Sequence, residues 1–106
     1  MHISIIQRLI HETAKEKGWW DKPRSVGDCI ALMHSELSEA LEEHRNGNDR
    51  IRIENDKPEG LPIELADVII RILDFAERHD IDMEDAITKK MNYNASRPYR
   101  HGGKVL

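Results

Sequence analysis

The sequence predicts an all-α fold, a four-helix bundle, and three observations carry that prediction. Apolar residues recur at intervals of three and four in four separate segments, the spacing that places them on one face of a helix. The chain is 34% charged and only 5% aromatic, a composition poor in the residues that β-sandwich strands favour. The connections between the segments are mostly short, as between neighbouring helices of a bundle. With 106 residues there is material for one domain and one core, read as residues 2–96 followed by a basic tail over 97–106.

The elements follow in order. Ile3, Ile6, Leu9, Ile10 and Ala14 share a helical face and Gly18 supplies a stop, so a first helix is predicted over residues 2–17. Trp19 to Pro23 form a connector. Ser25, with Asp28 three residues on, has the form of a capping box, and Val26, Ile30, Met33, Leu37, Ala40 and Leu41 continue the second helix to Asn46-Gly47. Residues 47–61 are polar and form the longest connection, in which Ile51 and Ile53 alternate with charges and admit a short strand. Pro62 suits the first position of a third helix reaching about His79. Asp82 and Asp85 open a fourth through Ala86, Ile87 and Met91 to about Ala95, ahead of Pro98.

Charge is unevenly spread. The net charge is −4, yet residues 87–106 hold five cations and no acid, so the first 86 residues carry −9. An acidic body argues against stable binding of nucleic acid, which needs a broad basic face to displace counterions. It suits divalent cations, or an anion held between the two parts. No apolar run approaches the roughly 18 to 20 residues that span a bilayer, and the N-terminus lacks a signal peptide's basic and apolar regions, so the expected location is the cytoplasm, away from membranes. Cys29 is the only cysteine, which excludes an intrachain disulfide and a thiolate zinc cluster, and it reads as a small core residue.

The third helix carries the most telling pattern. At 100° per residue Glu64, Asp67, Arg71, Asp74 and Arg78 fall within an arc of roughly 80°, and nearly all other positions are apolar. Such a helix is surrounded by protein on most sides, and its charges have only a narrow strip in which to avoid burial. The plain explanation is a solvent-facing strip, self-paired by Asp67 with Arg71 and Asp74 with Arg78. On the second helix, however, Glu36, Glu39 and Glu43 lie within about 60° of one another at the edge of the apolar arc. Glu36 and Glu39 are spaced i,i+3, as are Glu64 and Asp67, and like charges at this spacing weaken a helix unless something positive lies between them. If the two helices are antiparallel neighbours, four carboxylates converge. Carboxylate oxygens without Cys or His select a hard cation such as Mg²⁺, with Mn²⁺ possible. No Glu is followed by His at i+3, which argues against a ferritin-like di-iron site.

The run Glu36-Leu-Ser-Glu39, followed after 24 residues by Glu64-Leu-Ala-Asp67, resembles the E-x-x-E and E-x-x-D signature of the MazG-like all-α nucleoside triphosphate pyrophosphohydrolases. The resemblance covers most of residues 18–104 and includes Lys90, Asn94 and Arg97 in the run Lys-Met-Asn-Tyr-Asn-Ala-Ser-Arg-Pro. It implies a four-helix bundle of the MazG-like type, assembled as a homodimer or homotetramer. It further implies Mg²⁺-dependent hydrolysis of the α–β phosphoanhydride of a nucleoside triphosphate, giving monophosphate and pyrophosphate. Glu36, Glu39, Glu64 and Asp67 are then the expected metal ligands, Glu39 the expected catalytic base, and Lys90, Asn94 and Arg97 the expected phosphate contacts.

Three further expectations complete the reading. Trp19 and Trp20 are adjacent, so one regular element cannot bury both on one face; one is expected to pack in the core and the other, with Trp20 favoured, to stack on the base or meet a second subunit. His34 is expected in the core beside the apolar arc of the second helix, and Arg100 to Lys104 as a flexible basic flap over triphosphate. The residue types alone also admit a non-catalytic helical dimer that uses the same surface as a regulatory or protein-binding module.

Overall fold

Local signals in the chain mark most of the helix boundaries. The structure is a computed structural model that describes residues 2–99, with α1 (Ile3–Glu16), α2 (Val26–Arg45), β1 (Arg52–Glu54), β2 (Lys57–Glu59), α3 (Leu61–Arg78) and α4 (Met83–Ser96). The proposed flap at Arg100 to Lys104 lies outside the described residues. At the start of α2 the Asp28 N–H donates to Ser25 Oγ at 3.0 Å, and at the start of α4 the Asp85 N–H donates to Asp82 Oδ1 at 3.0 Å. Both bonds satisfy donors that a helix start leaves without partners.

The ends of the first three helices are alike. Beyond α1, Gly18 takes φ +84°, and the N–H groups of Gly18 and Trp19 return to the carbonyls of Lys15 and Ala14. Gly47 does the same after α2, with Gly47 and Asn48 bonding to His44 and Glu43. After α3 the left-handed position falls to Asp80, at φ 54°, with Asp80 and Ile81 bonding to Glu77 and Ala76. These paired bonds form the same reversal three times, although only two use the glycine that makes it cheap.

Residues 47–61 fold more than their composition suggests. β1 and β2 pair antiparallel with Glu54 opposite Lys57, so Asn55 and Asp56 form a two-residue turn with φ 52° and 64°. That is the geometry two-residue hairpins prefer, supplied by residue types that tolerate it. The hairpin is fastened to α2 through Arg52, which lies 3.5 Å from Glu43 and 2.8 Å from Glu54. Gly60 precedes α3 at φ +116°, where a Cβ would collide with the Arg50 carbonyl oxygen. Leu61, one residue before Pro62, is the first residue of α3.

All four expected helices are present, and their packing gives the arrangement. α3 is central, with α2 on one side and α1 on the other, and α4 rests on α1. This is an all-α fold, but its helices form an open row. α4 is joined to α1 chiefly near its start, where the Ser4 N–H donates to Glu84 Oε1 at 3.4 Å and Gln7 Nε2 donates to the Ile81 carbonyl at 2.8 Å. No described residue of α4 is buried, because Ala86, Ile87 and Met91 make too narrow a stripe to bury against two neighbours. The radius of gyration is 16.4 Å, where a single compact domain of this length has about 13 Å. The buried apolar residues, Cys29, Ala40, Val68, Leu73 and Ala76, are small for the most part. Ile30, Leu37 and Leu41 on α2, and Leu65 and Ile69 on α3, remain exposed. His34 is also exposed, on the solvent side of α2 and not in the core. Among the described residues no helix is long and apolar enough to cross a membrane.

One carboxylate joins three parts of the chain. Asp74 Oδ1 lies 2.7 Å from His11 Nδ1, and Trp20 Nε1 donates to both Asp74 oxygens at 2.9 and 3.1 Å. A carboxylate only accepts, so His11 carries its proton on Nδ1. His11 is buried, and losing the acceptor leaves two donors without a partner at about 1–3 kcal/mol each. Asp74→Ala is expected to lower unfolding free energy by about 2–4 kcal/mol, measured by urea denaturation, and Trp20→Phe by about 1–2 kcal/mol. A loss below about 0.5 kcal/mol for Asp74→Ala would contradict this role.

Candidate metal centre and adjoining cleft

The pairing of α2 with α3 brings the two carboxylate pairs together. One oxygen each from Glu36, Glu64 and Asp67 lies within 4.8 Å of the others. Glu36 is buried, and Glu64 and Asp67 are half-buried. Glu39 stands outside this tightest group, on the exposed side of α2, but close enough to Glu64 to disfavour its ionisation. The convergence expected from the sequence is thus present, with three carboxylates in a tight set and the fourth at its rim.

The electrostatics are those of a site with too much negative charge. Burial, and then the neighbouring charges of Glu39 and Asp67, push the Glu64 carboxyl up to about 7. Burial and the charge of Glu36 push Asp67 up as well, against the opposing pull of Arg71 and Lys57. Glu64 Oε2 is buried with no hydrogen-bond partner. A set of three carboxylates within ligand range, one of them with an oxygen lacking a partner, fits a hard divalent cation, whose preferred donors are carboxylate oxygens.

Arg71 is the cation of this cluster. Its Nε donates to Glu36 Oε1 at 2.8 Å, so it reaches across to α2 in preference to pairing with Asp67 along its own helix. Its guanidinium also lies 5.6 Å from the ring centroid of Trp19. Arg78 likewise does not settle on Asp74; it lies 5.1 Å from the Trp20 ring. The strip on α3 is therefore partly buried from Glu64 to Asp74 and exposed at Arg78, and its cations pair across to other elements and not along the helix.

A cleft of about 530 Å³ opens beside the carboxylates, reaching Glu36 and Asp67 at one side. Leu9, Ile10, Ala14, Trp19 and Ile70 give it apolar walls, and Thr13, Lys17, Arg71 and Asp74 add polar groups. Trp20, expected at the base, does not line this cleft, because its indole N–H is drawn to Asp74; Trp19 is the tryptophan that does. Lys90, Asn94 and Arg97 lie on or just past α4, which contributes no described residue to the cleft. α4 stops at Ser96 and Arg97 is extended, yet Lys90 and Arg97 still lie 5.0 and 5.3 Å from the Tyr93 ring. The sequence reading missed Lys17 and Trp19 as cleft residues and Asp74 as the acceptor that orients Trp20. Spacing could flag Asp74 as a charge on the seam, but not name its partners.

Comparison of the chain with protein-family models, with curated proteins and with solved structures finds no match.

The raised Glu64 carboxyl makes stability depend on pH in a definite sense. Between about pH 4.5 and about 7 the folded chain holds a proton that the unfolded chain has released, so stability falls as pH rises through that window. A full shift of this size is worth about 3 kcal/mol, and partial exposure reduces it. With chelator present, urea denaturation is expected to show this decline for the wild type and a shallower one for Glu64→Gln. Equal slopes would remove Glu64 as its source.

Proposed function

We propose that the chain is a Mg²⁺-dependent nucleoside triphosphate pyrophosphohydrolase of the MazG-like kind. The observation that supports this reading most directly is the buried, partnerless oxygen of Glu64 within a three-carboxylate cluster that opens onto an apolar-walled cleft. Glu36, Glu39, Glu64 and Asp67 are the residues that would hold Mg²⁺, or Mn²⁺ in its place. When bound, the ion neutralises phosphate oxygens and makes a nearby water more acidic. Glu39, exposed on α2 beside Glu64, would be the base that accepts a proton from attacking water. Trp19 and the apolar wall of α1 offer a stacking surface to the base, with the triphosphate directed toward the carboxylates.

Pyrophosphate release from a panel of nucleoside triphosphates is expected with Mg²⁺ and not with chelator. Glu39→Gln and Asp67→Asn are each expected to lower turnover by about 100-fold or more. Full activity in both variants would overturn the metal-site assignment. A chain that turns over no nucleotide would instead favour the non-catalytic helical dimer.

The same reading assigns the phosphate contacts Lys90, Asn94 and Arg97 to a second subunit. These residues stand outside the cleft of their own chain, while exposed apolar side chains on α2 and α3 give a second copy a surface to cover. Light scattering is expected to give the mass of a homodimer or homotetramer. Mixing Glu39→Gln with a Lys90→Ala, Arg97→Ala double variant, after mild dissociation, is expected to recover activity that neither has alone. A monodisperse active monomer would exclude this arrangement.

A further inference from the structure

We infer that Arg71 is a displaceable counter-ion, holding Glu36 when no metal is bound and turning to the substrate's polyphosphate once a divalent cation takes that carboxylate. The inference rests on the proposed metal centre but concerns a residue which that reading leaves without a role.

Three contacts carry it. Arg71 Nε donates to Glu36 Oε1 at 2.8 Å, so the guanidinium occupies the same carboxylate that belongs to the candidate metal set. Its side chain lines the cleft and retains 25% exposure, so the pair is not sealed in the core. The guanidinium is also within 5.6 Å of the Trp19 ring, on the cleft wall where a base would stack. Arg71 thus touches the carboxylate cluster and the substrate surface from one position.

The chemistry favours exchange over permanent pairing. Glu36, Glu64 and Asp67 together carry up to three negative charges, and one guanidinium cannot neutralise them. A divalent cation brings twice the charge and coordinates several oxygens, so it competes for Glu36 at an advantage. An Arg released there has a planar fork of donors suited to phosphate oxygens. Lys17, the other cation lining the cleft, lacks that fork and pairs with no carboxylate among the described residues.

The test uses the full chain and Mg²⁺ or Mn²⁺ alone before any nucleotide. In the wild type, metal is expected to change tryptophan emission as Arg71 leaves the Trp19 ring, and this change is expected to vanish in Arg71→Met and in Trp19→Phe. Arg71→Met is expected to bind the metal about 10-fold more tightly, because the competitor is gone. In the presence of metal it is expected to bind a non-hydrolysable triphosphate analogue about 10-fold more weakly, with Arg71→Lys between the two. Metal affinity that is unchanged or weaker in Arg71→Met would overturn the inference, as would wild-type protein that binds neither ion. Active enzyme with unaltered metal affinity in Arg71→Met overturns this exchange alone. Metal-driven emission changes in a chain that hydrolyses no nucleotide leave the exchange standing and remove the enzymatic reading.

Discussion

The position of α3 between α1 and α2 constrains everything else in this molecule. Most of the polar strip of this helix is partly buried between its neighbours, and each charge there must be met or remain costly. At the C-terminal end the requirement is satisfied, since Asp74 receives the buried His11 and the Trp20 indole while Arg78 lies over that indole. One turn earlier Arg71 is held by Glu36. At the N-terminal end Glu64 and Asp67 meet mainly other carboxylates. The seam passes from settled to unsettled between Asp74 and Asp67, about two turns of one helix, and the cleft runs along that stretch from Asp74 through Arg71 to Asp67.

The helix dipole does not remove that imbalance. Glu64 lies in the first turn of α3, where the partial positive charge of the helix start favours an anion by about 0.3–1 kcal/mol. A carboxyl raised to about 7 requires opposing effects several times larger, and burial with three nearby carboxylates supplies them. The local helix geometry therefore favours ionisation and the tertiary arrangement overrides it. A metal cation at this point would act with the dipole and against the repulsion.

Much of the fold was legible because its signals are local. Ser25 and Asp82 mark helix starts, and Gly18 and Gly47 mark helix ends, through bonds that span only a few residues. Asp80 took the same left-handed position unannounced, since an aspartate has many other uses and a glycine there has few. The wheel placed the carboxylates of both helices on facing edges, which found the candidate site. It could not give their partners, because angular position on one helix does not say which neighbour lies across from it. Hence spacing alone pairs Arg71 with Asp67, whereas its bond to Glu36 depends on the packing of α2 against α3. The two tryptophans show the same limit. Adjacency required them to diverge, but the choice between them depended on Asp74, 54 residues away from Trp20. The open row of helices was equally hidden, because the stripe on α4 states that a face is apolar and not how well it is covered.

Stability and the candidate site draw on the same two helices. The core is small, the fold is less compact than its length allows, and apolar residues remain exposed on α2 and α3, the same helices that carry the carboxylates. Any ligand that binds only the native state stabilises it by linkage. On the proposed reading a metal relieves repulsion between α2 and α3 from within, and a second subunit covers their apolar side from without. Each holds these helices together, so each favours the geometry the other requires. The metal-free single chain is then the least stable species, and association and metal binding are coupled without any further moving part.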